Sequence, residues 1–313
     1  MPHIISIGGG KGGTGKSFIT ANLGVLLASQ ARKVLLVDLD LGASNLHTLL
    51  GVRNPKPGLS EFLNKTTRDL DHVIVPTMFE NLFFINSMKC TLEIANLSYA
   101  QKLKLIRAIR NLPHDYILLD LGAGTNFNTL DFFLASNEGF LILTPSPTSI
   151  ENTIRFIKAA HLRKLKQILT RHVVDAILKE IHNNFKGELI TIADLVRVLK
   201  KHDPDQWKSV QNIFNGFHFK FILNQFSKHT DVTLGGRIAK VCNKHFYCRF
   251  RFLGNVGYDS RVQDSILSRR VYISKYPYTS TAIELQNIAK QIVGNGQDPV
   301  LLSSEMSCAD SKN

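Results

Sequence analysis

The sequence predicts an α/β fold with a doubly wound, mostly parallel sheet and a helical insertion. Short apolar runs recur along the chain, and stretches with helical periodicity separate them. Consecutive positions in these runs are apolar, as in strands that helices cover on both faces. The runs lie at residues 3–7, 33–37, 81–85, 116–119, 140–143 and 219–223. In sheets of this kind, ligands bind at the carboxyl ends of the strands.

Size and composition are those of a globular protein. The chain has 313 residues, of which 44% are hydrophobic and 20% are charged. No apolar run reaches the roughly 18 residues that a membrane-spanning helix needs. The first apolar run begins too close to Met1 for a signal peptide, and four cysteines are consistent with a reducing compartment. We therefore expect a cytoplasmic protein.

Residues 1–294 are predicted to form one domain, with a helical insertion at about residues 168–216. The chain between Thr144 and Phe219 is far longer than one crossover helix needs. Helical periodicity is present at residues 151–166, 173–181 and 192–199, and a turn is expected at Asp203-Pro204. The insertion is either a module that docks a partner or extra packing on the domain.

The end of the chain divides into two predicted parts. Residues 283–293 have helical periodicity and are expected to pack on the core. Residues 295–313 contain Gly, Pro, Ser and acidic residues, which predicts a disordered tail. This tail is net acidic and has no apolar face. Direct membrane binding is therefore expected to be weak or indirect, because stable anchoring needs a buried apolar face as well as charge.

The first apolar run leads into a glycine-rich segment at residues 8–17. Gly10, Gly15, Lys16 and Ser17 have the spacing of a phosphate-binding loop, and a predicted helix at residues 18–28 follows. Backbone N–H groups of such a loop form an anion site at a helix N-terminus. Lys16 is expected to reach the β and γ phosphates and Ser17 to ligate magnesium. The alternative is a glycine-rich turn that binds nothing. The residues predicted to bind the nucleotide in this segment are Gly10, Lys11, Gly12, Gly13, Thr14, Gly15, Lys16, Ser17 and Phe18.

Three aspartates are expected at the same edge of the sheet. Asp38 and Asp40 follow the second apolar run, and Asp120 follows the fourth. One carboxylate near a γ-phosphate can position the attacking water, and others can support the magnesium shell. Gly122 and Gly124 would allow the loop after Asp120 to move when the γ-phosphate leaves. Paired aspartates at the end of a strand are also ordinary turn formers.

Lys11 is a second lysine in a loop that already has Lys16. The segment from Lys11 to Ser17 resembles the deviant Walker A motif of the MinD/ParA ATPases, and the resemblance extends over about residues 1–160 and 219–292. It implies ATP and magnesium as ligands and an ATP-bound homodimer. It also implies that Lys11 crosses the dimer interface to the partner's phosphates.

The same resemblance implies roles for residues at the other strand ends. Asp40 lies in a switch I segment in which the second aspartate is needed for hydrolysis, so Asp40, Lys11 and Lys16 are the predicted catalytic residues. Asp120 matches the Walker B aspartate, and Ser17, Asp38 and Asp120 are the predicted magnesium site. Asn45 resembles a polar switch I residue. Asn224 is implied to contact adenine, together with a loop at residues 254–259.

Residues 40–51 and 120–124 are most similar to the branch of flagellar-number regulators called FlhG or FleN. That similarity implies a slow ATP hydrolase, stimulated by a protein partner, that regulates or positions a machine at the flagellum, pole or division site. One alternative is a ParA-like partitioning ATPase that binds DNA nonspecifically at the nucleoid. Another is an iron–sulfur carrier or reductase-like relative with the same fold.

Charge keeps the DNA-binding alternative open. The net charge is +13, and residues 220–251 contain seven Lys or Arg residues against the single acid Asp231. A basic surface favours nucleic acid, acidic lipid or an acidic protein. The aromatics of this segment alternate with polar residues as in a half-buried strand, which places most of them in the core. The alternating positions are Phe246, Cys248, Phe250 and Phe252.

Cysteine spacing does not favour the iron–sulfur alternative. Cys242 and Cys248 bracket His245, but their gap of five residues is wider than the two to four that are usual in zinc pairs. The sequence contains no second pair of this kind. Buried, inert thiols are the expected interpretation.

Overall fold

The computed structural model describes residues 1–53, 57–87, 97–169, 173, 179, 192–246 and 248–294. Within these residues, eight strands form one sheet in the order β3-β4-β2-β5-β1-β6-β7-β8. The short pair β3–β4 is antiparallel, and the other pairs are parallel. The strands are β1 (His3–Gly8), β2 (Val34–Leu39), β3 (Val75–Pro76), β4 (Leu82–Ile85), β5 (Tyr116–Leu121), β6 (Glu138–Leu143), β7 (His218–Phe226) and β8 (Arg249–Gly257).

Helices connect the strands and cover the sheet. They are α1 (Lys16–Ala28), α2 (Leu46–Leu49), α3 (Leu59–Leu63), α4 (Tyr99–Arg110), α5 (Phe127–Ala135), α6 (Pro147–Ile168), α7 (Ile192–His202), α8 (Pro204–Asn215), α9 (Leu234–His245), α10 (Arg261–Leu267), α11 (Tyr272–Lys275) and α12 (Ser280–Gly294). A single 3₁₀ turn spans Leu70–Val73 in the described part of the chain. No helix in the described ranges is long and apolar enough to cross a membrane.

The sheet has a hydrophobic core on each face. Successive residues of a strand point to opposite faces, so on β2 Leu35 and Val37 belong to one core and Val34 and Leu36 to the other. Helices α4, α5, α6 and α9 contribute to the first core, and α1, α11 and α12 contribute to the second. Burial on both faces explains why the strands are apolar at consecutive positions. The predicted fold class is confirmed.

Three strands are longer than the sequence suggested. β2, β5 and β7 continue one or two residues past Asp38, Asp120 and Asn224, which were expected to end them. Each of these buried polar side chains makes at least one hydrogen bond to another residue of the protein. The predicted edge is nevertheless formed, because Asp38 pairs with Asp120 in register and Asp120 pairs with Ile7.

Helices α7 and α8 lie in the predicted insertion, and Asp203 separates them as expected. Their apolar side chains belong to the first core, so these two helices pack on the domain. The buried residues are Val196, Val198, Leu199, Trp207, Val210 and Phe214. Most of the stretch predicted to be helical at residues 173–181, and the whole of residues 295–313, lie outside the described residues.

Helix α12 contains the stretch that was predicted to pack on the core at residues 283–293. Its buried side chains belong to the second core, which confirms this prediction. The aromatic segment near β8 is also buried as expected, although the strand starts only at Arg249 and Phe246 ends helix α9. Tyr247, between them, lies outside the described residues.

Candidate nucleotide-binding site

The glycine-rich loop joins the central strand β1 to helix α1. Gly13 and Gly15 have φ angles of +75° and +90°, a left-handed region in which a side chain is strained. Gly15 is the residue that caps the start of α1. The first turn of a helix leaves its N–H groups without intrahelical partners. Backbone donors therefore gather where the loop meets the helix, as an anion site requires.

Close packing holds the loop on one side and leaves it open on the other. A Cβ atom at Gly10 would lie 2.0 Å from the backbone oxygen of Asn152, at the start of α6. A Cβ atom at Gly15 would lie 2.2 Å from Nδ2 of Asn224. A Cβ atom at Gly12 or Gly13 would meet none of the described residues within 4 Å. Lys11, which precedes them, is exposed.

The two lysines of the loop lie in different environments. Lys16 is buried, and this burial lowers its pKa, while the charges of Asp120 and Asp40 act in the opposite direction. Lys11 is exposed, and its Nζ donates a hydrogen bond of 3.0 Å to the hydroxyl of Thr148. Lys16 therefore faces the carboxylates inside the site, and Lys11 stands at its mouth.

Asp120 has an oxygen that could take a further partner. Thr20 donates to Oδ1 of Asp120 at 3.0 Å, and the Ser17 hydroxyl also hydrogen-bonds to this carboxylate. Burial, and then the charge of Asp38, raise the pKa of Asp120 to about 7. Its Oδ2 atom is buried and has no hydrogen-bond partner among the described residues. The same is true of Oγ1 of Thr14. Carboxylate and hydroxyl oxygens are the ligands that magnesium prefers, so Ser17 and Asp120 fit that ion.

Asp38, in contrast, has both oxygens occupied by protein donors. It accepts from the N–H of Asp40 at 3.1 Å, the hydroxyl of Ser44 at 2.6 Å and the N–H of Leu46 at 3.3 Å. The hydroxyl of Ser87 is a fourth donor at 3.3 Å. Burial raises the pKa of Asp38 to about 6. Asp38 therefore shapes the segment that carries Asp40.

Asp40 lies where the predicted switch I segment meets the loop after Asp120. A Cβ atom at Gly122 would lie 3.0 Å from Oδ1 of Asp40, so the residues after β2 and after β5 are in contact. The backbone oxygen of Asp40 accepts from Ala43, and the side chain of Asn45 donates to the Ala43 oxygen at 2.8 Å. Asn45 thus supports the turn after Asp40.

Two predicted nucleotide contacts have other partners. The ring of Phe18 packs edge-on against Tyr272 in the second core, with 5.6 Å between ring centroids, so only its backbone N–H remains for phosphate. The Asn224 side chain is buried, and its amide donates to the backbone oxygen of Thr14 at 2.8 Å. The adjacent Gln225 donates to the backbone oxygen of Gly13 at 3.1 Å.

The sequence did not indicate every polar residue of this site. Thr20, Ser44, Ser87 and Gln225 were missed, and so was the close approach of Asn152 to Gly10. Ser44 was recognisable from its place six residues after Asp38 in the same motif. Ser87 follows β4, so its position at the carboxyl end of a strand was the available signal.

Cys242 and Cys248 are both buried, as expected of structural thiols. The buried His161 ring bonds through Nδ1 to the Ile157 oxygen at 2.8 Å and through Nε2 to Sγ of Cys248 at 3.1 Å. The carbonyl can only accept, so Nδ1 carries the proton and the thiol donates to Nε2. His245 is exposed, so it does not converge with the two thiols. Cys90 and Cys308 lie outside the described residues.

A glycine loop between a central parallel strand and a helix, with a buried lysine and aspartates on the adjacent strand ends, defines a nucleotide-binding protein of the P-loop class. The model of the CobQ/CobB/MinD/ParA nucleotide binding domain matches residues 5–270. The chain belongs to this family.

Individual relatives agree with this assignment. The chain is 23% identical over 292 residues to the antiactivator FleN of Pseudomonas aeruginosa, covering 93% of this chain and 86% of that protein. It is 26% identical over 205 residues to the septum site-determining protein MinD of Helicobacter pylori, covering 64% of this chain and 75% of that protein.

Solved structures show the same fold. The cell division ATPase MinD of Pyrococcus furiosus superposes with a TM-score of 0.62 at 23% identity, covering 94% of this chain and all of that one. A ParA family ATPase of Chlorobium tepidum gives a TM-score of 0.63 at 20% identity, covering 93% of this chain and 99% of that one.

Proposed function

We propose that the protein is an ATP-dependent, dimerising switch ATPase that regulates or positions a cellular machine of the flagellum, pole or division-site type. Membership of the family supports the nucleotide part of this proposal. The similarity to FleN and MinD supports the regulatory part. The observation that carries the proposal is the division between Lys16, buried beside two aspartates, and Lys11, exposed at the mouth of the same loop.

The residues of the site have separate roles in this proposal. The loop N–H groups and Lys16 bind the β and γ phosphates. Ser17 and Asp120 would hold magnesium, which would supply positive charge beside the phosphate oxygens. Asp40 orients the attacking water, and Asp38 holds the Asp40 segment in place through its four hydrogen bonds. Hydrolysis would be slow without a stimulating protein partner.

Lys11 acts in a second copy of the chain. It is exposed and precedes Gly12 and Gly13, where an added Cβ atom would meet none of the described residues within 4 Å. A Thr148 hydroxyl is its hydrogen-bond partner within the chain, and an exposed neutral partner is readily exchanged for a phosphate. ATP would therefore close a dimer in which each Lys11 contacts the partner's nucleotide.

Light scattering on three proteins tests the dimer. With ATP and magnesium, the Asp40→Ala variant should become dimeric and remain so, because it binds ATP without hydrolysing it. The Lys11→Ala variant should stay monomeric and bind ATP with the affinity of the wild-type monomer. An Asp40→Ala protein that remains monomeric at saturating ATP would contradict the dimer.

The cellular target can be read from the position of the protein. A fluorescent fusion of a regulator of this type should concentrate at the pole, flagellar base or division site, and the Asp40→Ala variant should change that distribution. A fusion spread evenly over the cytoplasm in both forms would contradict regulation of a localised machine.

Nonspecific DNA binding is a second candidate, and exposed basic residues on α9 and β8 favour it. Arg237, Lys240 and Lys244 lie on α9, and Arg249 and Arg251 lie on β8. The first three lie three or four residues apart, so they share one side of α9. The opposite side of α9 is buried, with Ile238, Ala239 and Cys242 in the first core. Lys220, counted with this segment from sequence, is instead buried and paired with Glu138 at 2.7 Å.

Gel shifts at several salt concentrations test the second candidate. The ATP-bound protein should retain duplex DNA at low salt, and the affinity should fall steeply as salt rises. Changing Lys240, Lys244 and Arg249 to Glu should remove the shift and leave ATP hydrolysis unchanged. Absence of any shift at low salt, together with ATP-dependent sedimentation with liposomes, would exclude this candidate.

A further inference from the structure

Two consecutive side chains of β7 hold two consecutive carbonyl groups of the phosphate loop. Asn224 Nδ2 donates to the oxygen of Thr14 at 2.8 Å, and Gln225 Nε2 donates to the oxygen of Gly13 at 3.1 Å. Asn224 is buried, and Gln225 is exposed. These contacts join β7 to a loop that precedes it by more than 200 residues.

The backbone of β7 is shaped for this double contact. Consecutive residues of a regular strand point to opposite faces of the sheet, so they normally do not reach the same loop. Here the pairing of β7 with β8 shifts register between Leu223 and Phe226. Gln225 has a φ angle of +56°, in the left-handed region that favours glycine. The irregularity turns Gln225 toward the loop beside Asn224.

The geometry of the peptide bond connects these carbonyls to phosphate binding. In a trans peptide, the C=O of one residue and the N–H of the next point in opposite directions. A fixed Gly13 oxygen therefore fixes the N–H of Thr14, and a fixed Thr14 oxygen fixes the N–H of Gly15. Both N–H groups point away from β7. Gly13 and Gly15 are the left-handed residues of this loop, where a peptide plane is otherwise free to rotate.

We infer that Asn224 and Gln225 are positioning residues for phosphate: they orient the N–H groups of Thr14 and Gly15 through the carbonyls of the two preceding peptide units. This inference rests on the proposed function, since it needs a nucleotide in the loop. This role differs from a contact between Asn224 and adenine. A positioning residue changes how tightly the phosphates bind, whatever base the nucleotide carries.

Inorganic tripolyphosphate separates the two roles, because it has the phosphates of ATP and no base. The experiment measures how ATP and magnesium tripolyphosphate displace a fluorescent ADP derivative from the full chain. Gln225→Met removes the donor without adding charge, and Asn224→Leu does the same at the buried position. Gln30→Met is the matched control, since Gln30 also donates to a backbone oxygen, that of Leu26, at the far end of α1.

Gln225→Met should weaken the binding of ATP and of tripolyphosphate by the same factor, about threefold. Asn224→Leu should weaken the binding of both by about tenfold. Effects of this size are expected for the loss of one hydrogen bond. The fluorescent ADP should also dissociate faster by these factors, and the control should change nothing. If the variants bound ATP more weakly but tripolyphosphate as well as the wild type does, the inference would be overturned. Asn224 and Gln225 would then contact the adenine base. If Asn224→Leu fails to fold, Gln225→Met still tests the inference, because the Gln225 side chain is exposed and its replacement should not prevent folding. A wild-type protein that binds no ATP would instead remove the proposed function.

Discussion

Asp120 and Asp131 are both buried, but their electrostatic settings are opposite. At the nucleotide edge, which is the edge of the sheet with the phosphate loop, Asp120 is 1% exposed and its pKa is raised to about 7 by burial and by Asp38. On α5, Asp131 is 7% exposed. Burial alone would raise the pKa of Asp131, but hydrogen bonds from Arg163 and Lys102, and their charges, lower it below its ordinary value.

The difference lies in how many cationic partners each carboxylate has. Asp131 pairs with the buried Lys102 and accepts two bonds from Arg163, at 2.7 and 2.8 Å, and one from Gln167 at 3.0 Å. We call these four residues the Asp131 cluster; they join α4, α5 and α6. Asp120 faces another carboxylate and keeps one buried oxygen without a partner among the described residues. The cluster is complete by itself, whereas in the proposed function a cationic ligand would complete the nucleotide edge.

Asp131→Asn should have the largest effect on folding and none on the nucleotide edge. It leaves the charge of Lys102 buried and unbalanced, which typically costs about 3–5 kcal/mol of unfolding free energy. Urea denaturation measures this loss, and ATP affinity below the transition should remain that of the wild type. Asp231→Asn, which breaks an exposed pair with Arg237, is the control and should leave the denaturation midpoint unchanged. If both variants lost the same free energy of unfolding, the Asp131 cluster would contribute no more to stability than the exposed pair.

Lys16→Ala should have the reverse effect, with folding preserved and ATP binding lost. The variant removes the buried cation that faces Asp120 and Asp40. Losing a charged phosphate contact should weaken ATP by about a hundredfold in calorimetry. Lys11→Ala, at the mouth of the loop, should leave the affinity of the monomer unchanged. If both variants bound ATP like the wild type, the loop would not be the phosphate site.

Asp120→Asn should stabilise the ligand-free protein while weakening its response to magnesium. It removes one of two facing buried carboxylates, and we expect a gain on the order of 2 kcal/mol at pH 8. The pKa of Asp120 is higher in the folded protein than the ordinary value of 3.8, so the wild type loses stability as pH rises from about 4 to 7. The advantage of the variant should therefore grow over that range and then level off.

Denaturation of the wild type and of Asp120→Asn at pH 4.5, 6 and 8 measures this dependence. Magnesium should raise ATP affinity in the wild type and have little effect in the variant. A variant that is less stable than the wild type at pH 8 would show that Asp120 is satisfied without a ligand, as Asp131 is.

Gly122→Ala should produce the smallest effect, confined to hydrolysis. The added methyl group would lie 3.0 Å from Oδ1 of Asp40 and should shift that carboxylate by a few tenths of an ångström. We expect ATP hydrolysis to fall severalfold with ATP affinity unchanged, because misplacing a positioning group slows the reaction. Gly236→Ala is the control, since its added methyl group would meet none of the described residues within 4 Å. If Gly122→Ala hydrolysed ATP at the wild-type rate, the contact between Gly122 and Asp40 would have no role in hydrolysis.

The sequence predicted the fold and much of the site because its signals are local. Continuous apolar runs predicted the covered parallel sheet, and glycine and lysine spacing predicted the loop from Gly10 to Ser17. The contacts made by Gln225 were not predictable in this way, because they depend on a shift in strand pairing. From sequence, Lys220 was counted among the surface charges, but it is paired with Glu138. The two residues are 82 positions apart, so no local pattern indicated the pair.

Gly10 lies so close to the backbone of Asn152 that a displacement of the phosphate loop toward α6 would push on this helix. Helix α6 has 22 residues and is therefore about 33 Å long. Its His161 ring stacks on Phe214 of α8, with 4.9 Å between ring centroids. The part of α6 from Asn152 to Ile168 is about 24 Å long. If this part moved as a rigid body, a tilt of roughly 5° about Asn152 would displace its far end, near α8, by about 2 Å.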